Sequence, residues 1–375
     1  MSDFFDKKTI CIGEGNLSPF LTKDNNFQDG TTPMYRDIDG RLWAMSGHSH
    51  VGAINMFCGA SLDVIKKTYE IKTNFCVGHA EYAFFGIRYP DGNKPVGSIW
   101  PFGLYICPNT HRFFCFFHNE TGWNGHGTGY DSYGPCTTPK IDSDFRHIGL
   151  MHSDDEGKNW VFDRWILTGE EVDFTEKYNP GAGNVLGQAS NKICLGSGDF
   201  SLFVNPNDDF MYIFYNKIYI DIDKAVWEEC NVYVARTRKR KDGIMGDFVK
   251  YYNGSFSEAG IFGKETQIAT HSWHPRVLYS KKYDLYFMSS SHVNVPADSN
   301  MVDDIMEIRT SKDLIHWSKP VSFMCNGKKF GNHYVALVAD DNKNQPCIID
   351  GDEFSILSNH NGTDVIRHKA YFKEK

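Results

Sequence analysis

Three carboxylates stand out by their neighbours. Asp29 sits in Gln28-Asp29-Gly30-Thr31, Glu120 in His118-Asn119-Glu120-Thr121-Gly122-Trp123, and Asp199 in Gly196-Ser197-Gly198-Asp199-Phe200-Ser201. Each lies where an apolar run meets a polar, Gly-rich stretch. Two carboxyl groups set across one bond can divide the work of hydrolysis. One donates a proton, and the other acts as base or nucleophile. A turn Asp before a strand, or a solvated loop Glu, has the same local signature, so the types alone do not decide. Gly196 and Gly198 would let the backbone come close to a ligand. Glu258, in Phe256-Ser257-Glu258-Ala259-Gly260, is a further carboxylate that would overhang the same place.

The elements that must carry these groups are short and β-rich, with Gly, Pro, Asn and Asp between them and almost no helical periodicity. Five times an apolar strand, a tight polar turn and a second apolar strand recur. The hairpins run from Pro33 to Gly47, Phe102 to His118, Phe200 to Asn216, Pro275 to His292 and Tyr334 to Gly351. They turn at Asp39-Gly40, Pro108-Asn109, Asn205-Pro206-Asn207, Lys281-Lys282 and Asp341-Asn342. Third strands are expected at Ala53–Ala60, Ile148–Ser153, Val232–Thr237, Ile305–Thr310 and Phe354–Asn359. A unit repeated five times predicts an all-β fold, a five-bladed β-propeller of four-stranded antiparallel sheets, with residues 1–375 as one domain. Two β-sandwich domains are the rival, and nothing in a sandwich asks for the same hairpin five times.

Propeller geometry brings together the residues before each first strand and after each second strand. The first set is Asp29, Trp100, Asp199, His274 and His333. The second is His48, His50, His118, Glu120, Asn216 and His292. With Trp123 and Glu258 these form the expected mouth. Polar groups beside a buried axis are costly unless paired or used. His274 and His333 stand on neighbouring blades at one expected register. They suit hydroxyl contacts, although a lone His is commonly a satisfied core residue.

Two turns carry a repeated motif. Ser153-Asp154-Asp155-Glu156-Gly157-Lys158-Asn159-Trp160 matches S-x-D-x-G-x-x-W, the Asp-box, and Ser311-Lys312-Asp313-Leu314-Ile315-His316-Trp317 matches S-x-D-L-x-x-W. The carboxylate can accept local backbone N–H bonds while the Trp packs between sheets. Both read as structural, on the side away from the mouth.

The pattern resembles the five-bladed propeller glycoside hydrolases: the arabinanase, xylosidase and fructosidase families. Asp29-Gly30-Thr31-Thr32-Pro33 through Leu42-Trp43-Ala44-Met45-Ser46-Gly47 is similar to the first blade of a family containing bacterial endo-D-arabinanases. That family has Gly-Asp-Thr where this chain has Gly47-His48-Ser49. Only the architecture and Asp29 carry over. The resemblance implies cleavage of a glycosidic bond in an oligo- or polysaccharide. By analogy with the inverting members Asp29 is the base, Glu120 the acid and Asp199 a helper, with the last two roles exchangeable. It implies no required cofactor, and admits a structural calcium ion at the axis near His333.

Three alternatives remain open. A non-catalytic carbohydrate-binding propeller would keep the aromatics without closely set carboxylates. A sialidase would need an arginine triad, drawn from Arg36, Arg88, Arg276 and Arg309, and a tyrosine nucleophile. A glycoside phosphorylase would need a phosphate cradle, of which His274-Pro275-Arg276 is the only hint.

Composition narrows the partners. Aromatics make up 15% of the 375 residues, which suits pleated sheets and sugar-stacking surfaces. The net charge of −8 and the single short basic run, Arg236 to Lys241, speak against nucleic acid. No apolar stretch is long enough for a membrane span. The ten Cys stand singly, without a C-x-x-C pair, against a zinc site or a disulfide framework. The N-terminus lacks a signal-peptide core, so a reduced, cytoplasmic setting is expected, or secretion should a leader have been removed.

Overall fold

The structure is a computed structural model that describes residues 4–18, 32–47, 54–73, 98–120, 146–169, 178–179, 184–185, 192–221, 226–294, 302–325, 328–331, 333–341, 343–360 and 364–375. Their strands group into five antiparallel blades in chain order, the second and third joined into one sheet by a parallel bridge between Gly196 and Arg146. Blade one is Met34–Arg36, Leu42–Ser46, Asn55–Gly59 and Lys66–Glu70. Blade two is Ser98–Ile106, Phe113–Glu120, Arg146–Ser153 and Asn159–Leu167. Blade three is Lys192–Val204, Phe210–Asp221, Val226–Arg238 and Val249–Tyr252, with Ser255–Ala259 added outside. Blade four is Ser272–Ser280, Leu285–Val293, Val302–Ser311 and Val321–Ser322.

Blade five draws on both ends of the chain. His333–Val338 pairs with Glu353–His360, which pairs with Asp364–Glu374, and the N-terminal Lys8–Leu17 completes the sheet. The ring is thus closed by backbone hydrogen bonds between the two ends. This corrects the fifth hairpin expected from the sequence. Phe354–Asn359 lies in the second strand, not the third. The apolar Ile348–Ile349 that suggested an earlier strand instead pairs in parallel with the end of blade four's innermost strand, at Tyr279 and Ser280. Burial of those two side chains against a neighbouring blade explains their character without a hairpin at Asp341-Asn342.

The aromatic excess is spent between blades. In Phe113-Phe114-Cys115-Phe116-Phe117 every side chain is buried. Strand alternation sends them to opposite faces. Phe113, Cys115 and Phe117 join Trp43, Met45 and Met56 of blade one, whereas Phe114 and Phe116 join Met211, Ile213 and Tyr215 of blade three. The same division recurs around the ring. Phe214 and Met288 meet between blades three and four, Phe287 and Ile356 between four and five, and Val338 and Phe57 between five and one. A strand buried on both faces reads as a continuous apolar run. Each fully buried Phe contributes about 1.5–3 kcal/mol over the exposed state.

Inner strands begin at one end of the axis and the second strands return to it. Third strands run away again, so the Ser153 and Ser311 turns lie at the opposite end from the mouth.

Candidate functional site at the propeller mouth

Three consecutive blades interrupt their innermost strand in the same way. Register shifts fall between Gly198 and Ser201 in blade three, Trp273 and Arg276 in blade four, and His333 and Ala336 in blade five. In each, two residues oppose one on the second strand, which is a β-bulge. The first bulged residue takes a left-handed backbone, with φ of 45° at Asp199, 55° at His274 and 52° at Tyr334. Non-glycine residues adopt that region only where surrounding contacts over-determine it. The bulges re-aim these three side chains together.

Asp199 is 7% exposed. Its Oδ2 accepts from Trp273 Nε1 at 2.8 Å, and its Oδ1 lies 3.7 Å from His274 Nε2. The His274 imidazole is sandwiched by Trp273, with centroids 4.4 Å apart, and Tyr334, at 4.1 Å. A carboxylate, an imidazole and two aromatic rings from three blades therefore form one wall.

The bulges are held from behind by the preceding blade. His118, on the second strand of blade two, accepts from the Asp199 N–H through Nδ1 at 3.1 Å. Asn216, on the second strand of blade three, accepts from the His274 N–H through Oδ1 at 2.8 Å. Asn216 Nδ2 also donates to the Ser272 carbonyl at 2.8 Å, tying the bulge on its other side. With the backbone donating, His118 carries its ring proton on Nε2. Its ring stacks on Phe102 and meets Trp100 edge-on.

The small residues before Asp199 serve this junction rather than a ligand. A Cβ on Gly198 would stand 2.3 Å from His118 Cε1, and one on Gly196 would stand 2.2 Å from the Arg146 carbonyl oxygen. Gly196 also has φ of 94°. The close approach expected from Gly-Ser-Gly is real, but it is to blade two.

His274 and His333 do not share a register. Tyr334 is the equivalent of His274 and His333 that of Trp273, because one position separates the two sequences at the bulge. Asp199 and His274 lie inside their strands, not before them. Glu258 is on the outermost strand of blade three, where its Oε2 accepts from the Lys264 N–H. That position removes it from the mouth. Glu120 ends the second strand of blade two, paired with Ser98 and with Arg146, which places its backbone at the mouth. The side chains of Glu120 and His333, and all of Asp29, His48, His50 and Trp123, lie outside the described residues.

Trp273 and Tyr334 were missed in the sequence. Their signal was adjacency to His274 and His333, obscured because a bulge shifts the face by one residue. Arg276 reaches across the axis and donates to the Thr32 carbonyl at 3.2 Å, three residues beyond Asp29. Burial holds its guanidinium down to about 10. Arg276 thus ties blade four to the segment that precedes the first strand of blade one. Arg36 is tied to Gly40 and Ala60 near the blade-one turn, and Arg309 to Glu307 within blade four, so these two do not join Arg276 in a triad, and Arg88 lies outside the described residues.

Among the described residues, one His/Asp group is tight enough to hold an ion: Asp37, Asp39 and His111. It belongs to the turn end of blades one and two, not to the axial mouth. Asp37 already accepts from Trp43 Nε1 and Arg41 Nε, each at 2.8 Å.

No family model matches the chain, and no curated protein matches it. Among solved structures it is similar to an α-L-arabinofuranosidase from Lactobacillus brevis, at 13% identity and a TM-score of 0.49, over 94% of this chain and 92% of that one. It is also similar to an exo-β-1,3-galactanase from Phanerochaete chrysosporium, at 9% identity and a TM-score of 0.48. That alignment takes in 98% of this chain but 64% of the galactanase, less than two thirds of its length. A third is a GH43 β-1,3-galactosidase with galactodeoxynojirimycin, at 13% identity and a TM-score of 0.47, over 97% and 94% of the two chains.

Proposed function

We propose that the protein is a glycoside hydrolase, with residues 1–375 acting as one catalytic unit on an oligo- or polysaccharide at the propeller mouth. The observation that carries this reading is the buried Asp199 carboxylate, set in a left-handed bulge between Trp273 and His274. A carboxylate withdrawn from water, with one oxygen against an indole N–H and the other facing an imidazole, is equipped to hold a hydroxyl or to exchange a proton. The Trp273 and Tyr334 rings beside it suit the apolar face of a sugar. Asp29 is assigned as base. Glu120 and Asp199 share the roles of acid and helper, and the reaction needs no cofactor. His118 serves by positioning Asp199.

The test is a panel of nitrophenyl furanosides and pyranosides, with and without phosphate and with and without a chelator, on the wild type and on Asp29→Asn, Glu120→Gln and Asp199→Asn. One glycoside should be cleaved without phosphate and without metal. Each variant should lose roughly 10²–10⁴ in turnover, the scale of a positioned acid or base. Substrate binding should change far less. Cleavage that requires phosphate would make the enzyme a phosphorylase. Binding without cleavage of any substrate would make it a carbohydrate-binding module.

A further inference from the structure

The two Ser-x-Asp turns are alike in their hydrogen bonds but not in what becomes of their tryptophans. In blade two, Trp160 Nε1 donates to the Gly157 carbonyl and the ring is 1% exposed. It is covered by blade one, whose Lys72–Thr73 pairs in parallel with Asn159 and Trp160. In blade four, Trp317 Nε1 donates to the Leu314 carbonyl in the same manner. Its ring, however, is only half-buried and borders a cleft of about 740 Å³ shared with Phe4, Leu285, Lys312 and Lys319. That volume falls within the range of small-ligand clefts, roughly 300–1,000 Å³.

The polar atoms of the turn are already engaged. Asp313 Oδ1 accepts from the Ile315 and His316 N–H groups, its Oδ2 lies 2.7 Å from His316 Nδ1, and Ser318 Oγ accepts from the Thr310 N–H. What the cleft still offers is the exposed part of Trp317 and two ammonium groups, because the Phe4 ring already packs edge-on against Phe5, Tyr283, Phe287 and Phe372. Neither Lys312 nor Lys319 has a carboxylate partner among the described residues, and the Asp313 carboxylate is taken up by the turn's own N–H groups and the His316 ring. The two lysines outnumber the one carboxylate that lines the cleft.

We infer that this cleft, at the end of the propeller opposite the mouth, is a second binding site for an acidic oligosaccharide. The half-buried Trp317 ring receives the apolar face of a sugar ring, and two lysines at the rim receive a uronate carboxylate. The site is spatially separate from the mouth and stands whether or not the mouth is catalytic.

Calorimetric titration of the full chain with galacturonate oligomers of three to five sugars tests it, against uncharged oligosaccharides of equal length and an acidic peptide of equal charge. The uronate oligomer should bind in the micromolar to millimolar range, more tightly than the other two. Lys312→Gln with Lys319→Gln should weaken it at least tenfold. Trp317→Ala should abolish binding. Because Trp317 also packs on Phe214, the exposed lysine pair supplies the decisive variant if that protein fails to fold. Absence of binding, equal binding by the lysine double variant, or equal binding of the acidic peptide would each overturn the inference.

Discussion

His118 of blade two accepts the backbone N–H of Asp199 in blade three, 3.1 Å from nitrogen to nitrogen. One side chain thereby holds the left-handed turn that aims the buried carboxylate. His118→Phe keeps a ring on Phe102 but strands that N–H, which costs about 1–3 kcal/mol. Turnover should fall along with stability. His118→Asn should recover part of both, since Asn216 performs the same task for His274. Chemical denaturation and steady-state kinetics on both variants check this. Full activity in His118→Phe would show that the bulge holds itself.

Asp155 should behave in the opposite way. Its Oδ1 accepts from Ser153 Oγ at 2.8 Å and from the Asn159 N–H at 2.9 Å, far from the mouth. Asp155→Ala should lower stability by about 1–2 kcal/mol, the scale of losing a local side-chain cap. Kinetics on the folded fraction should match the wild type. A large fall in turnover without a change in melting would contradict the structural role.

Between blades two and three, Glu265 is buried with two lysines. Its Oε1 lies 3.0 Å from Lys217 Nζ and its Oε2 lies 2.9 Å from Lys250 Nζ. Burial pushes its carboxyl up, but Lys250, Lys217 and the Tyr215 hydroxyl together hold it below the usual 4.5. Glu265→Gln leaves two buried cations facing a neutral amide, so it should cost about 3–5 kcal/mol. Because the folded value is depressed, this contribution is present above pH 4.5 and is lost as pH falls through the lower folded value. Urea denaturation of both proteins at pH 7 and pH 4 measures it. A variant as stable as the wild type at pH 7 would show that the cluster contributes nothing net.

His147 sets a second acid limit at higher pH. Burial, then the neighbouring His118, pushes its imidazole down to about 3 from 6.5. The unfolded chain takes up this proton first, so stability declines as pH falls below 6.5. The loss is about 2 kcal/mol by pH 5, at 1.4 kcal/mol for each pH unit. His147→Phe, packed edge-on to Trp165, should flatten the melting curve between pH 6.5 and 5. An unchanged slope would assign that loss to other groups.

Four of the five hairpins are legible in the chain itself, because a tight polar turn between two apolar runs has one low-energy arrangement. Phe113 to Phe117 shows the same determinism. A run apolar at every position can only be buried on both faces, and a blade between two others provides that. The sequence also assigned Asp199 and His274 to neighbouring inner strands, although both lie inside those strands rather than before them. What it left undecided was the facing of side chains. A bulge changes the face by one residue and leaves no compositional mark, so it is Tyr334 that takes the register of His274 and packs against it. The role of Gly196 and Gly198 was equally hidden, because close approach to a neighbouring blade and close approach to a ligand ask the same of a residue. Blade five was hidden for a different reason. Its fourth strand comes from the other end of the chain, Lys8 to Leu17, and a pairing such as Lys8 with Glu374 is recorded in no local pattern. Only the closed ring, with every inner strand packed against two neighbours, decides which end meets which and where the carboxylate faces.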